Sequence, residues 1–275
     1  MLYGHYAGNN RSFHDFVQKE KELEINKCYN ENCLDTMARM PDGFVDLTVT
    51  SPPYDDLRTY NGYCFDFENV AKELFRVTKQ GGVVVWVVGD ATIKGSETGT
   101  SFKQALHFKE IGFNLHDTMI YEKKSCYAHD PRNMRYKAMF EYMFIISKGK
   151  PTTYNEIQDV PNINAGKILK GTKGRDKNGN KRVLKEIVIR DFQARSNIWR
   201  IPSSERSEHP AIFPEQLAND HIISWSNEGD LVYDPFMGSG TTAKMAVLNK
   251  RNWIGSEISD EYCKIIERRI TTAST

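Results

Sequence analysis

The chain contains no apolar run of 18 residues, so no segment reads as a transmembrane helix. Its opening stretch, MLYGHYAGNNRSFHDF, lacks the charged-then-apolar pattern of a secretory leader, which argues against export. Cysteine is scarce: Cys28, Cys33, Cys64, Cys126 and Cys263 are odd in number and form no C-x-x-C pair. That pattern excludes a disulfide frame and a cysteine zinc site, and fits free thiols in a reducing cytoplasm with no metal. There is no internal repeat. What is there is an ordinary globular composition, 39% apolar and 27% charged over 275 residues. This is not the composition of a disordered or collagen-like chain. It suffices for one large α/β domain or two modest ones, with about three quarters of the unfolded surface hidden.

Net charge is only +1, but it is unevenly spread. Residues 150–195 hold eleven Lys and Arg against five acids, a surplus of six that the rest of the chain nearly cancels. Such a concentration suits a polyanion, although a solvated lysine-rich loop has the same composition.

Residues 1–23 are polar and aperiodic, an N-terminal arm. Residues 24–30 read as a short strand. FVDLTVT (44–50) is a strand buried on both faces, stopped by Ser51-Pro52-Pro53-Tyr54, because two prolines cannot continue a central ladder. A helix is predicted over 67–79, ended by Gly81-Gly82, and VVVWVVGD (83–90) is the strongest buried strand, with Trp86 in the core. Then follow a helix at 100–111 and strands at 115–121 and 142–147. Inside 150–195 the KGTKGRDKNGNK core must be a loop or hairpin. Helices at 213–226, 240–250 and 260–270 alternate with strands at 230–236 and 252–259. Alternation of this kind predicts a doubly wound, mostly parallel α/β sheet. The organisation expected is a polar arm (1–23), a first half of the α/β domain (24–149), a basic insertion (150–195) and a second half (196–275).

Two segments carry chemistry. Asp234-Pro-Phe-Met-Gly-Ser-Gly-Thr-Thr242 lies between a strand and a helix, at the carboxyl edge where such sheets bind ligands. Gly238 and Gly240 admit a ligand close to the backbone. A P-loop would need a Lys directly before the Ser/Thr; here Thr241 follows Gly240 and the nearest Lys is Lys244. An acidic loop suits a ligand bearing an amino group instead. The next strand, NWIGSE, ends on Glu257, placed to accept ribose hydroxyls. Together they suggest an adenosine carrying an ammonium, such as S-adenosylmethionine; a lone Gly-x-Gly would be only a turn. The second segment, Thr50-Ser51-Pro52-Pro53-Tyr54, is a rigid corner. Ser51 Oγ and the Ser51 or Pro52 carbonyl can accept N–H bonds from an exocyclic amine. Tyr54 offers a face for stacking an extruded base. A plain strand-stop with a core tyrosine is the bland alternative.

With these residues in hand, the sequence resembles the amino-group DNA methyltransferases that use S-adenosylmethionine, over about residues 25–270. TSPPY resembles their catalytic motif and DPFMGSGTT their cofactor motif, in the permuted order of the β group, with a basic segment between. The resemblance implies a seven-stranded Rossmann-like sheet. It makes Ser51, Pro52, Pro53 and Tyr54 catalytic. It places Asp234, Phe236, Gly238, Gly240 and Thr241 around the cofactor, with Phe236 near the adenine, Glu257 on the ribose, and Asn32 and Cys33 at the position that often reads Asp-Cys-Leu. Phe213, within His209–Pro214, stands where many members carry a Lys or Ser for the methionine carboxylate. It makes 150–195 a target-recognition region, with Lys170, Lys173, Arg175, Lys177, Lys181 and Arg182 on double-stranded DNA. Ser at the head of the motif favours cytosine N4; adenine N6, or RNA or protein as substrate, are the alternatives, as is a DNA-binding protein with a dead cofactor pocket. A homodimer and a cognate restriction endonuclease are further expectations. Asp55, Asp56, Asp90, His129, Arg132 and Arg135 are weaker polar candidates, each equally readable as structural.

Overall fold

The computed structural model describes residues 23–53, 65–124, 132, 134–169, 173–183, 186–202 and 214–273. Tyr54, Asp55, Asp56, His129, Lys170 and Phe213 lie outside them. In chain order the elements are Lys27–Tyr29 (β1), Cys33–Ala38 (α1), Val45–Thr50 (β2), Phe67–Val77 (α2), Thr78–Val88 (β3), Thr92–Ile93 (β4), Ser96–Glu97 (β5), Thr100–Glu110 (α3), Asn114–Lys123 (β6) and Phe140–Ser147 (β7). Then come Val160–Pro161 (β8), Ile168–Leu169 (β9), Lys173–Arg175 (β10), Lys181–Val183 (β11), Ile187–Val188 (β12), Phe192–Gln193 (β13) and Ile198–Ile201 (β14). Glu215–Trp225 (α4), Leu231–Asp234 (β15), Thr241–Leu248 (α5), Asn252–Ser256 (β16) and Asp260–Ala273 (α6) complete the chain.

The main sheet runs β1-β16-β15-β2-β3-β7-β6-β14. Only β7 is antiparallel to its neighbours. The α/β doubly wound expectation is met, with eight strands instead of seven. The addition is β14, which follows the basic insertion and pairs in parallel with Ile120–Lys123 of β6. Its four residues have no long apolar run, which is why periodicity missed it.

Each sheet face buries alternate residues against three helices. Leu47, Val49, Val83, Val85 and Val87 pack under α4, α5 and α6, while Val84, Trp86 and Val88 pack under α1, α2 and α3. The helix α2 shows the local logic. Asp66 caps it, Val70, Leu74 and Val77 share its buried stripe, and Thr78 closes it. It therefore ends before Gly81-Gly82, contrary to the sequence expectation. The glycines belong to β3, where pairing jumps from Val45↔Thr78 to Leu47↔Val83 and the intervening residues bulge outward. A Cβ on Gly82 would lie 2.9 Å from the Asp46 carbonyl oxygen, so this close approach excludes a side chain. No helix among the described residues is long and apolar enough to cross a membrane.

Chain direction reverses at the middle of the sheet. From β2 the chain steps to β3 across the α2 face; from β15 it steps the other way to β16 across the α5 face. The β2/β15 boundary is thus the topological switch point, where the loops leaving the carboxyl ends diverge and open a crevice.

Candidate active site

Both sequence motifs leave the sheet at that crevice. The register Val232↔Leu47 and Tyr233↔Thr48 sets the end of β15 beside the end of β2. The Thr50 hydroxyl donates to Asp234 Oδ1 at 2.6 Å, joining residues 184 positions apart. Ser51 and Pro52, the next residues, therefore adjoin Asp234. Pro52 is buried and Ser51 half-buried.

Asp234 is 1% exposed, and Oδ1 also accepts the Phe236 N–H at 3.0 Å. Burial raises its carboxyl to about 6, against the pull of hydrogen bonds from Thr50, Phe236 and Thr242. No cation among the described residues is paired with it. A buried carboxylate without a cationic partner is costly, so the site favours a ligand that brings positive charge.

The neighbouring loop is built around Gly240, which sits at φ +83° as the residue preceding α5; a Cβ there would meet Ile266 Cγ1 at 2.9 Å. The Thr241 hydroxyl, at the first turn of α5, is buried with no partner among the described residues. Such a donor is normally satisfied by something. Glu257, at the end of β16, accepts the Gly238 N–H on Oε2 (2.8 Å) and the Ser259 N–H on Oε1 (2.9 Å). Burial raises its pKa above the ordinary range, while these backbone bonds oppose the shift. Its own backbone N–H bonds Tyr29 O across to β1. Phe236 lies half-buried between Phe65 (ring centroids 5.3 Å apart) and Trp86 (6.3 Å), which gives an aromatic wall. These features fit S-adenosylmethionine: a buried acid for the ammonium, a rim acid for the ribose, an aromatic surface for the adenine and an orphaned hydroxyl.

Some expected residues have other work. Asn32 caps α1, a helix the sequence reading did not assign, by accepting the Leu34 N–H at 2.9 Å. Its amide nitrogen has no partner among the described residues. Cys33 is buried in the α1 face with its thiol raised to about 12 by desolvation, so it can offer only contact. Asp90 accepts from Ser101 N–H and hydroxyl and from Thr98, so it tethers the start of α3. Arg135 bonds the Gly95 carbonyl and pairs with Glu97, bracing the β4–β5 hairpin. Trp86 is fully buried and donates to Gln104 Oε1, in keeping with a core role. Within the KGTKGRDKNGNK core, the described residues from Lys173 onward form a hairpin, β10–β11. Thr50 was named from sequence as part of the Thr50–Tyr54 corner but given no role of its own. Its signal was its place at the head of the Pro-Pro corner.

A family model for DNA methylases, the N6/N4 group, matches residues 45–268. The chain belongs to the N6/N4 DNA methylase family. The orphan methyltransferase M.BamHII of Bacillus amyloliquefaciens is 61% identical over 82% of this chain and 88% of its own. The type II methyltransferase M.SmaI of Serratia marcescens is 24% identical over 93% and 95% of the two chains. Among solved structures, the cytosine-N4-specific PvuII DNA methyltransferase superposes with a TM-score of 0.66 at 21% identity, covering 90% of each chain. The Thermus thermophilus protein TTHA0409, in complex with S-adenosyl-L-methionine, gives 0.63 at 22% identity, covering 90% of this chain and 94% of its own. In this N6/N4 methylase, S-adenosylmethionine is the methyl donor, and the crevice at β2/β15 meets the needs of that cofactor.

Proposed function

We propose that the chain methylates cytosine N4 of a base extruded from double-stranded DNA. The observation that carries the reading is the juxtaposition of Ser51-Pro52 with the buried Asp234 at one switch point. On this reading Asp234 holds the cofactor's ammonium and Glu257 its ribose. Phe236 and Cys33 border the adenine, with Asn32 alongside. Gly238, Gly240 and Thr241 shape the floor. When bound, the cofactor supplies an electrophilic methyl carbon on a sulfonium. The protein's share is positional and electrostatic. The Ser51 hydroxyl and the Ser51 or Pro52 carbonyl accept the amine's N–H bonds, which aims the nitrogen lone pair at the methyl group and stabilises the positive charge that grows there. Pro53 fixes the corner, and Tyr54 stacks on the base, offsetting the few kcal/mol of extrusion.

Cytosine rests on Ser51 at the head of the motif. Among the similar proteins the PvuII enzyme is cytosine-N4-specific, whereas the adenine methyltransferase YhdJ of Escherichia coli is 42% identical over 28% of this chain. Lys170, Lys173, Arg175, Lys177, Lys181 and Arg182 serve DNA. Arg195, in the same basic segment, is committed to Asp159 and Asp220. The working location is the cytoplasm, beside DNA. A homodimer and an endonuclease of the same site remain separate proposals; the type II names favour the latter, and the word orphan in the name of the 61% identical relative weighs against it.

The test is tritium transfer from labelled cofactor to duplex DNA, RNA and protein, then nucleoside mass spectrometry. N4-methylcytosine is the expected product. N6-methyladenine would correct the base, and label in RNA or protein alone would overturn the reading.

A further inference from the structure

The stretch between β7 and β14 folds back on itself in three nested antiparallel pairings: β8 with β13, β9 with β12, and β10 with β11. Of the residues from 158 to 198 whose burial is described, none is buried. A two-stranded ribbon with no core beneath it is marginal in water, so its stability in use must come from a partner. Its root is fixed. Arg195 pairs with Asp159 and Asp220, and the Asn155 amide donates to the Ile223 and Ser226 carbonyls at the end of α4.

The tip is fixed too. Asp176 Oδ1 accepts the N–H groups of Asn178 (2.8 Å) and Asn180 (2.9 Å), and Oδ2 accepts the Asn180 amide (3.2 Å). The backbone closes with Asp176 N–H to Asn180 O and Gly179 N–H to Asp176 O. The one acid of the tip thus spends its acceptors inside the turn. Beside it, Arg175 and Lys181 are direct cross-strand partners. Like charges placed opposite one another destabilise a ribbon. Neither residue, nor Lys177, has a carboxylate partner among the described residues; Arg175 reaches only the Gly179 carbonyl, at 3.5 Å. A loop that needed only to attract phosphate would not require a rigid turn holding two cations in register.

Resting on the DNA reading above, we propose that this hairpin enters the major groove of duplex DNA, with Arg175 and Lys181 facing base edges and Lys177 on phosphate. The major groove, about 12 Å wide, admits a two-stranded ribbon, and period-two alternation turns the Arg175–Lys181 pair to one face. Arg forks onto guanine O6 and N7, so Arg175 specifies a guanine of the recognition sequence. A-form RNA is disfavoured by the same geometry, because its major groove is too narrow to read.

Sequencing DNA from cells that express the chain gives the methylated motif. A short duplex carrying that motif is then the probe for Arg175→Lys, Arg175→Ala with Lys181→Ala, and Lys177→Ala, each checked for an unchanged thermal midpoint. Arg175→Lys keeps the charge and loses the fork. It should leave affinity for a random duplex within about twofold while affinity for the motif duplex, and with it discrimination at one guanine, falls roughly 5- to 150-fold. Lys177→Ala should weaken motif and random duplexes alike and lower the salt slope by about one. Dimethyl sulfate should find guanine N7 protected by the wild type and unprotected with the double variant. Wild-type motif and KM in both Arg175 variants, or N7 left open by the wild type, would overturn the groove assignment while leaving DNA methylation standing. A changed sedimentation coefficient of the DNA-free double variant would make the ribbon a protein contact and overturn it as well. Failure of the wild type to methylate any DNA would instead remove the reading beneath it.

Discussion

Replacing Asp234 with Asn tests whether the crevice is built around a charge it cannot neutralise by itself. Asn is nearly isosteric, and its oxygen can still accept from the Thr50 hydroxyl and the Phe236 N–H. The folded protein holds the carboxyl near 6 against an ordinary 3.8. A group so raised costs nothing below its unfolded pKa, where both states are protonated, and its full penalty above the folded pKa. That penalty is about 3 kcal/mol. Wild-type stability should therefore fall as pH rises from about 4 to about 6 and then level off in this respect. Asp234→Asn should lack the decline. Allowing about 1 kcal/mol for weaker neutral hydrogen bonds, the cofactor-free variant should be more stable at pH 7.5 by about 2 kcal/mol, a rise of about 4–8 °C in melting midpoint for a domain of this size. At pH 4.5 the advantage should shrink to nearly nothing. Calorimetry on the same samples should show S-adenosylmethionine binding weakened at least tenfold, the loss of about one charge-assisted bond. Wild-type affinity, by contrast, should improve as pH rises through about 6, since the ionised carboxylate binds the ammonium. A variant less stable than wild type at pH 7.5, or an advantage independent of pH, would refute the account of Asp234 as a strained buried charge. Unchanged cofactor affinity would move the ammonium elsewhere.

Glu257→Ala removes the acceptor of the Gly238 and Ser259 N–H groups, so cofactor titration should show at least a tenfold weaker Kd with a melting midpoint lowered by a few degrees; equal Kd would exclude Glu257 from the pocket. Gly240→Ala forces a side chain to φ +83° and against Ile266, and urea unfolding should register a loss of about 2–4 kcal/mol; less than 0.5 kcal/mol, on the order of a neutral surface change, would mean the loop relaxes freely. Tyr54→Ala should cut single-turnover methyl transfer to duplex DNA while leaving cofactor affinity within about twofold, because stacking on an extruded base is worth about 1–3 kcal/mol; an unchanged rate would remove Tyr54 from the site.

By itself the sequence determined the parts list. The alternation of strands and helices, the Pro-Pro corner after TVT, the glycine loop after LVYD and the acid after NWIGS are each encoded within about ten residues. Each acts through backbone rules that need no distant partner: prolines that cannot donate, glycines that accept positive φ, β-branched runs that favour buried strands. The same rules read the basic core as a loop or hairpin, and the structure makes its described part the hairpin β10–β11. What only the tertiary structure decided are the relations among parts. That Thr50 bonds Asp234 follows from β15 inserting beside β2, a pairing set by the whole sheet and not by either motif. The eighth strand exists because β6 offers Ile198–Ile201 an open parallel edge, and Gly81-Gly82 serve a bulge instead of a helix end because β2 leaves no room for a side chain at Gly82. Among the basic residues, the sequence set six from Lys170 to Arg182 toward DNA and gave Arg195 no role. Assembly places Arg195 on two aspartates and leaves Arg175, Lys177 and Lys181 without acids among the described residues, since an ion pair depends on which carboxylate folding brings within reach.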